Sequence, residues 1–331
     1  MTRKLLTVAG CLTCLIGGAQ AMTLGIDGTS FALDGKRTFL LGLSYYAGLG
    51  APKEFVQQDL DEMKAAGWNW IRVWATWDLN GRNVSAVDET GAPRQPYFGK
   101  LTWLVRQADR RGMAVDVTLT RGNLLPTQEA HLKAVQTLAA ALKPFRNVYL
   151  DLANERDVRD ARYVSLEELG ELSGAVRAID PDRLITASGN PDRNNLPAYL
   201  DVARLDFISP HLGRRPGAPA ETLEITRRYL EWMREIGHLV PVHYQEPFRR
   251  DYSPWQPVAQ DFLADLRGAV EGGAAGWCLH NGSPREDYKG PTRSFDMSRE
   301  KGRLFDQLDA EEMAVFRQGP GVVSEAQKGR Q

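Results

Sequence analysis

The stretch that decides the fold is Asn147 to Val158, which reads N-V-Y-L-D-L-A-N-E-R-D-V. Val148 to Leu152 is a short apolar run of strand type, and it breaks off at Asn154-Glu155, two polar side chains where a buried strand meets a loop. In a parallel barrel that junction is where the chemistry sits. The pattern recurs at Pro241 to Gln245, P-V-H-Y-Q, a second short strand that ends on Glu246. Two strand-end glutamates form the minimum set for breaking a glycosidic bond, one as acid/base and the other as nucleophile.

Outward from this stretch, strand-type and helix-type segments alternate. Strands are predicted over 39–44, 70–74, 114–120, 148–152, 184–188, 207–210, 242–245 and 275–279. Helices are predicted over 52–66, 101–111, 127–142, 165–179, 196–203, 220–236, 257–271 and 301–317. Ser165 with Glu168 three residues on is a capping box, and Pro52 and Gly67 are start and stop signals. Eight such units predict an α/β chain folded as a (β/α)8 TIM barrel, whose usual length is ~250 residues. An open doubly wound sheet would carry a glycine-rich phosphate turn after its first strand, and none is present. Two Asp-Gly pairs between Thr23 and Thr38 predict a short N-terminal β-hairpin before the barrel. The barrel domain is assigned to residues 22–317, and the polar tail 318–331 is expected to be disordered.

Composition is that of an ordinary globular chain: 331 residues, 43% hydrophobic and 25% charged. A net charge of -1 with no long basic run excludes a nucleic-acid partner. Arg3 and Lys4 precede the apolar run Leu5 to Gly18, and Ala19-Gln20-Ala21 supplies the small-x-small cleavage pattern. Residues 1–21 therefore read as a signal peptide, giving a secreted or periplasmic mature chain. A lipoprotein reading on Cys11 leaves an apolar region shorter than the usual ~7 to 15 residues. The segment is also too short for the ~20 residues of a span, so no stable membrane anchor is expected. Cleavage leaves Cys278 as the one cysteine, set in an apolar run and read as a buried small hydrophobe. A monomer without cofactor is expected. No metal site is expected either: His-Glu-x-x-His is absent, and histidines 131, 211, 238, 243 and 280 lack ligand spacing.

These residues resemble the clan A glycoside hydrolases, the retaining barrel enzymes that include the family 5 cellulases and mannanases. In that clan a strand-four Asn-Glu pair supplies the acid/base and a strand-seven Glu the nucleophile. Asn154-Glu155 and Glu246 match, with Arg72 on strand two, His211 in I-S-P-H on strand six and Trp277 on strand eight. The opening Leu33-Asp34-Gly35-Lys36, followed by Leu41 to Tyr46, is similar to the clan's entry hairpin and first strand. Gly213 stands where relatives often place a Tyr against the nucleophile, which leaves Tyr45, Tyr46 or Tyr244 as its substitute.

The resemblance implies Glu155 as acid/base and Glu246 as nucleophile, with Arg72, Asn154, His211, Trp277, Tyr46 and Tyr244 contacting substrate or the nucleophile. Chemistry adds detail. Glu155 needs a raised pKa to hold a proton near neutrality, and Glu246 must stay ionised. A buried Arg72 needs a carboxylate partner, with Glu246 and Asp151 as candidates. Trp277 offers a flat face for a pyranose, and Trp74, Trp77, Tyr97 and Trp255 lie on loops suited to sugar subsites. His243, by alternation from Glu246, is expected to face the helices. The expected activity is retaining hydrolysis of a β-linked oligo- or polysaccharide. A transglycosidase of the same fold and a catalytically silent carbohydrate-binding barrel are the alternatives.

Overall fold

The computed structural model describes residues 21–285 and 290–329, so the expected signal peptide, residues 1–21, lies outside the described residues but for Ala21. Eight parallel strands form the barrel: β1 (Leu40–Ser44), β2 (Trp70–Trp74), β3 (Ala114–Thr118), β4 (Val148–Asp151), β5 (Leu184–Thr186, resuming at Ser188–Gly189), β6 (Ser209–Pro210), β7 (His243–Tyr244) and β8 (Gly276–Leu279). One continuous ladder runs β5-β4-β3-β2-β1-β8-β7. Ser188–Gly189 pairs with β6, and a parallel bridge from Ile208 to Val242 carries β6 to β7, which closes the ring.

The helices follow their strands: α1 (Lys53–Ala66), α2 (Tyr97–Asp109), α3 (Gln128–Leu142), α4 (Leu166–Ile179), α5 (Ala198–Val202, one π turn), α6 (Ala218–Glu235), α7 (Ala259–Gly272) and α8 (Ala310–Lys328). Their boundaries follow local chemistry. Ser165 Oγ accepts the Glu168 amide at 3.1 Å to start α4, and Gly67 at φ 91° ends α1 where a Cβ would be strained. Among the described residues no helix is long and apolar enough to cross a membrane.

The N-terminal hairpin gains a third strand. Leu24–Asp27, Ser30–Leu33 and Lys36–Thr38 form an antiparallel sheet, because Asp34 and Gly35 at φ 51° and 76° turn the chain a second time. Phe31 of this sheet plugs the barrel floor, meeting Tyr149, Phe207 and His243 at centroid distances of 6.3, 5.0 and 5.3 Å.

Above that floor the barrel interior is polar. Arg72, Asp116, Thr118, Asp151, Thr186, Ser188, Ser209 and Gln245 are all buried there, while the alternate residues face the helices. His243 belongs to the interior, contrary to the alternation counted from Glu246: its Nε2 lies 3.0 Å from Tyr149 Oη. The regular strand ends at Tyr244, so Glu246 lies beyond the pleat and is no guide to its parity. Trp277 is also reversed. It shares a register row with Tyr244 and Leu41, all facing outward, and its Nε1 donates to Asp265 of α7 at 2.6 Å.

The C-terminal tail is helical to Lys328 and not disordered. Val322 and Val323 pack on the core, Ala326 is buried, and a Cβ on Gly319 would reach 3.2 Å from Trp68. Apolar residues spaced along one helix face outweigh the polar composition of the segment.

Asp265 is fully buried between α7 and the barrel, and burial pushes its carboxyl up to about 7 despite hydrogen bonds from Thr222 and Trp277. A group whose folded pKa is raised contributes stability fully present below its unfolded value of 3.8, and this is lost as pH rises toward and through about 7. The melting temperature of the wild type relative to Asp265→Asn should therefore fall between pH 4 and 7. A pH-independent difference would contradict the assignment.

Candidate active site

The site is built around one side chain. The alternation of β2 points Trp70, Arg72 and Trp74 inward, and the Arg72 guanidinium spreads over six acceptors, the longest contact being Nη2 to Ser188 Oγ at 3.4 Å. Nη1 donates to Glu246 Oε1 at 2.6 Å, and Nη2 donates to Asp151 Oδ2 and Asn154 Oδ1, both at 2.8 Å. Nε donates to Asp116 Oδ2 and Thr118 Oγ1, both at 3.1 Å. Both carboxylates proposed as partners from the sequence are engaged. Trp74 covers the guanidinium at 4.3 Å, so the cation is solvated only by protein. Burial, reinforced by the charge of Asp151, pushes Asp116 up to about 8. Asp116 therefore keeps its proton near neutrality and meets Arg72 as a neutral acceptor.

Glu246 is 4% exposed. Burial works to raise its pKa, yet His211, Arg72 and Arg214 around it hold it well below 4.5. His280 contributes little charge to that balance, because burial drives its own pKa well below 6.5. Its Nδ1 lies 3.0 Å from Pro247 O and so donates there, and its Nε2 lies 3.0 Å from Tyr46 Oη. The same Tyr46 hydroxyl reaches Glu246 Oε1 at 3.1 Å, so Tyr46 fills the place left open at Gly213. Tyr46 is itself stacked on Trp74 with ring centroids 3.5 Å apart.

Glu155 follows Asn154 in the loop after β4 at φ 50°, a left-handed conformation that costs a non-glycine residue about 1 to 3 kcal/mol. Ser188 Oγ accepts its amide at 3.2 Å, and Ser188 also donates to Asn154 Oδ1 at 3.2 Å. The carboxylate pairs with Arg162, lies 3.4 Å from His211 Nδ1 and 3.7 Å from Arg214 Nη2. Burial works to raise its pKa, but His211 and Arg214 outweigh it, so the value lies below 4.5. That reverses the raised value expected from sequence, because the pocket brings more cations than the single neighbouring carboxylate offsets. Arg156 and Arg159, the neighbours in sequence, turn away: Arg156 donates to Val164 O, and both lie over Tyr163.

Glu155, His211 and Glu246 each place one ligand-type atom within 4.8 Å of the others. A dication there would meet the guanidinium of Arg214, which lies 2.8 Å from Glu246 Oε2. The cluster suits an ion-paired couple of carboxylates better than a metal.

The whole architecture has close counterparts. The glycoside hydrolase family 5 mannosidase of Rhizomucor miehei superposes with a TM-score of 0.66 at 15% identity, over 93% of this chain and 99% of that one. The fold is that of the family 5 glycoside hydrolases. The endo-1,4-β-D-mannanase of Thermotoga petrophila matches with a TM-score of 0.59 at 12% identity, covering 86% of this chain and 100% of that one. In sequence, mannan endo-1,4-β-mannosidase A of Podospora anserina is 24% identical over 256 residues, 63% of this chain and 69% of that protein. No family profile matches the chain.

On this barrel the structure brings together Glu155, Glu246, Arg72, Asn154, His211 and Tyr46. It leaves out Tyr244, whose hydroxyl meets Thr226 Oγ1 of α6 at 2.7 Å, and Trp277, which faces α7. Of the loop aromatics, Trp74 is buried in the site and Trp255 packs on Phe248. Sequence reasoning missed Arg162, Ser188, Arg214 and His280. His280-Asn281 carried the same signal as Asn154-Glu155, a polar pair at a strand end, whereas Arg162 and Arg214 lie on irregular loops with no periodicity to place them.

Replacing Arg72 with Met strands Asp151 without a cation and leaves Glu246 with Arg214 alone. Breaking a buried pair of this kind costs about 3 to 5 kcal/mol, so Arg72→Met should show a matching loss in denaturant unfolding. Near-normal stability would contradict the network.

Proposed function

We propose that this chain is a retaining β-glycoside hydrolase acting on a β-linked oligo- or polysaccharide, with Glu155 as acid/base and Glu246 as nucleophile. The observation that carries the reading is the approach of a Glu155 oxygen and a Glu246 oxygen to within 4.8 Å at the carboxyl ends of β4 and β7. Retaining enzymes hold the two carboxyl groups about 5 to 5.5 Å apart, whereas inverting enzymes leave about 6.5 to 9.5 Å for a water. The mannan-degrading relatives make β-1,4-mannan the first substrate to test.

The electrostatics support the division of roles. Glu246, ionised and fixed by Arg72, attacks the anomeric carbon and forms a glycosyl ester as the leaving oxygen departs. Glu155 must donate a proton to that oxygen. A sugar seated between the carboxylates excludes water and parts Glu155 from Arg214, and both changes raise its pKa toward the value the acid role requires. Water then attacks the ester with Glu155 as base. Asn154, held by Arg72 and Ser188, is placed beside Glu155 to bond the 2-hydroxyl.

Glu246→Gln should abolish turnover of every glycoside. Glu155→Gln should slow glycosides with poor leaving groups by about 10²- to 10⁴-fold while largely sparing activated aryl glycosides. Proton NMR should find the first-formed product with its anomeric configuration retained, and an inverted product would refute the mechanism.

We infer export as well, with cleavage after Ala21. The Met22 amide donates to Asp109 Oδ1 at 2.8 Å, and Met22 is buried against the barrel floor. Cleavage there would place the new α-ammonium on Asp109, where it forms an ion pair. The intact mass of exported protein should begin at Met22, and a lipidated Cys11 would overturn this.

A further inference from the structure

Arg214 occupies the gap that the reading above assigns to the substrate. It lies three residues after His211 in the loop leaving β6, and its side chain is 17% exposed. Nη2 holds Glu246 Oε2 at 2.8 Å and stands 3.7 Å from Glu155 Oε1, so one guanidinium bridges both carboxylates. Glu246 already has Arg72 at 2.6 Å and a hydrogen bond from Tyr46. A second cation on the nucleophile is not needed to keep it ionised and lowers its reactivity.

The far side of Arg214 is cationic too. Its guanidinium lies 4.5 Å over the ring of Tyr252, and Arg249 shares that ring at 5.1 Å. Arg249 is 7% exposed, and its side chain donates to Ser283 O and rests on Phe295. Among the described residues no carboxylate lies within ion-pair distance of it. The chain carries a net charge of -1, so this is a local concentration of charge and not a basic protein. A neutral sugar entering between Glu155 and Glu246 would strip Arg214 of both partners and leave a desolvated guanidinium beside another one, which is costly. An anion on the sugar would replace the partners that Arg214 loses.

We propose that the sugar bound at the cleavage point carries an anionic substituent, a uronate carboxylate or a sulfate ester, which draws Arg214 off Glu246 and docks between Arg214 and Arg249. Arg214 thereby makes the freeing of the nucleophile conditional on an acidic substrate. The proposal rests on the hydrolase reading and narrows its substrate class.

The test compares matched β-linked oligosaccharides on the full mature chain: a uronate-containing glycan, the same glycan after carboxyl reduction, and a sulfated counterpart. The native uronate, the sulfated glycan, or both should exceed the reduced form at least tenfold in kcat/KM, and which one does so identifies the anion. Arg214→Met should collapse that ratio toward one, and Arg214→Lys should restore part of it. Equal rates on acidic and neutral glycans in the wild type, with the same fractional loss on each in Arg214→Met, would overturn the proposal. If no glycan is turned over, the hydrolase reading fails separately. The rise in melting temperature with each glycan then decides: a rise with the acidic glycans alone, lost in Arg214→Met, upholds the anion site, and equal or absent rises reject it.

Discussion

The buried charge of Arg72 is the constraint on which the rest of the barrel depends. A guanidinium removed from water in the middle of a protein is tolerable only if every donor finds an acceptor and its charge is balanced. Here the acceptors come from four separate segments: Asp116 and Thr118 on β3, Asp151 and Asn154 around β4, Ser188 on β5, and Glu246 after β7. None of these strands can shift along the barrel axis without breaking a charge-assisted bond. The network that makes the interior tolerable therefore also sets the height and direction of the carboxylates at the mouth.

This division of labour runs along the barrel axis. At the floor, Phe31, Trp70, Tyr149 and Phe207 fill the interior with aromatic rings, and His243 bonds to Tyr149 at their edge. Above them Gln245 Nε2 donates to Asp116 Oδ2 at 2.6 Å, tying the floor to the Arg72 layer. At the top the side chains carry more positive charge than the two glutamates balance, which lowers the pKa of both. A retaining mechanism needs one low and one raised pKa. In the proposed mechanism Glu246 is already in its working state in the free protein, and Glu155 would reach its own only when substrate replaces the arginine between them.

Much of this was legible in the chain. Eight apolar runs with helices between them follow from two periodicities, and strand-end polar pairs mark the mouth because a buried strand has no other reason to end on Asn154-Glu155. Arg72 was legible for the opposite reason: a charge inside W-I-R-V-W must be partnered if that strand is central. Errors arose where one residue of register matters. Trp277 and Tyr244 lie on the outward rows of β8 and β7, and a shift of one residue exchanges the faces of a strand. The direction of the Glu155 shift was not legible, since it depends on how His211 turns toward it and on Arg214, which arrives from a loop whose course no local pattern determines. Gly319 to Ala326 was hidden by its composition, although its apolar residues lie at helical spacing.

The central claim is that the carboxylate fixed by Arg72 is the one that bonds to sugar. An activated 2-deoxy-2-fluoro β-glycoside, which slows breakdown of a glycosyl ester, should leave the protein heavier by one fluoroglycosyl unit, and peptide mapping should locate the adduct on Glu246. A label on Glu155, or active enzyme that consumes the reagent and never accumulates an adduct, would contradict the account.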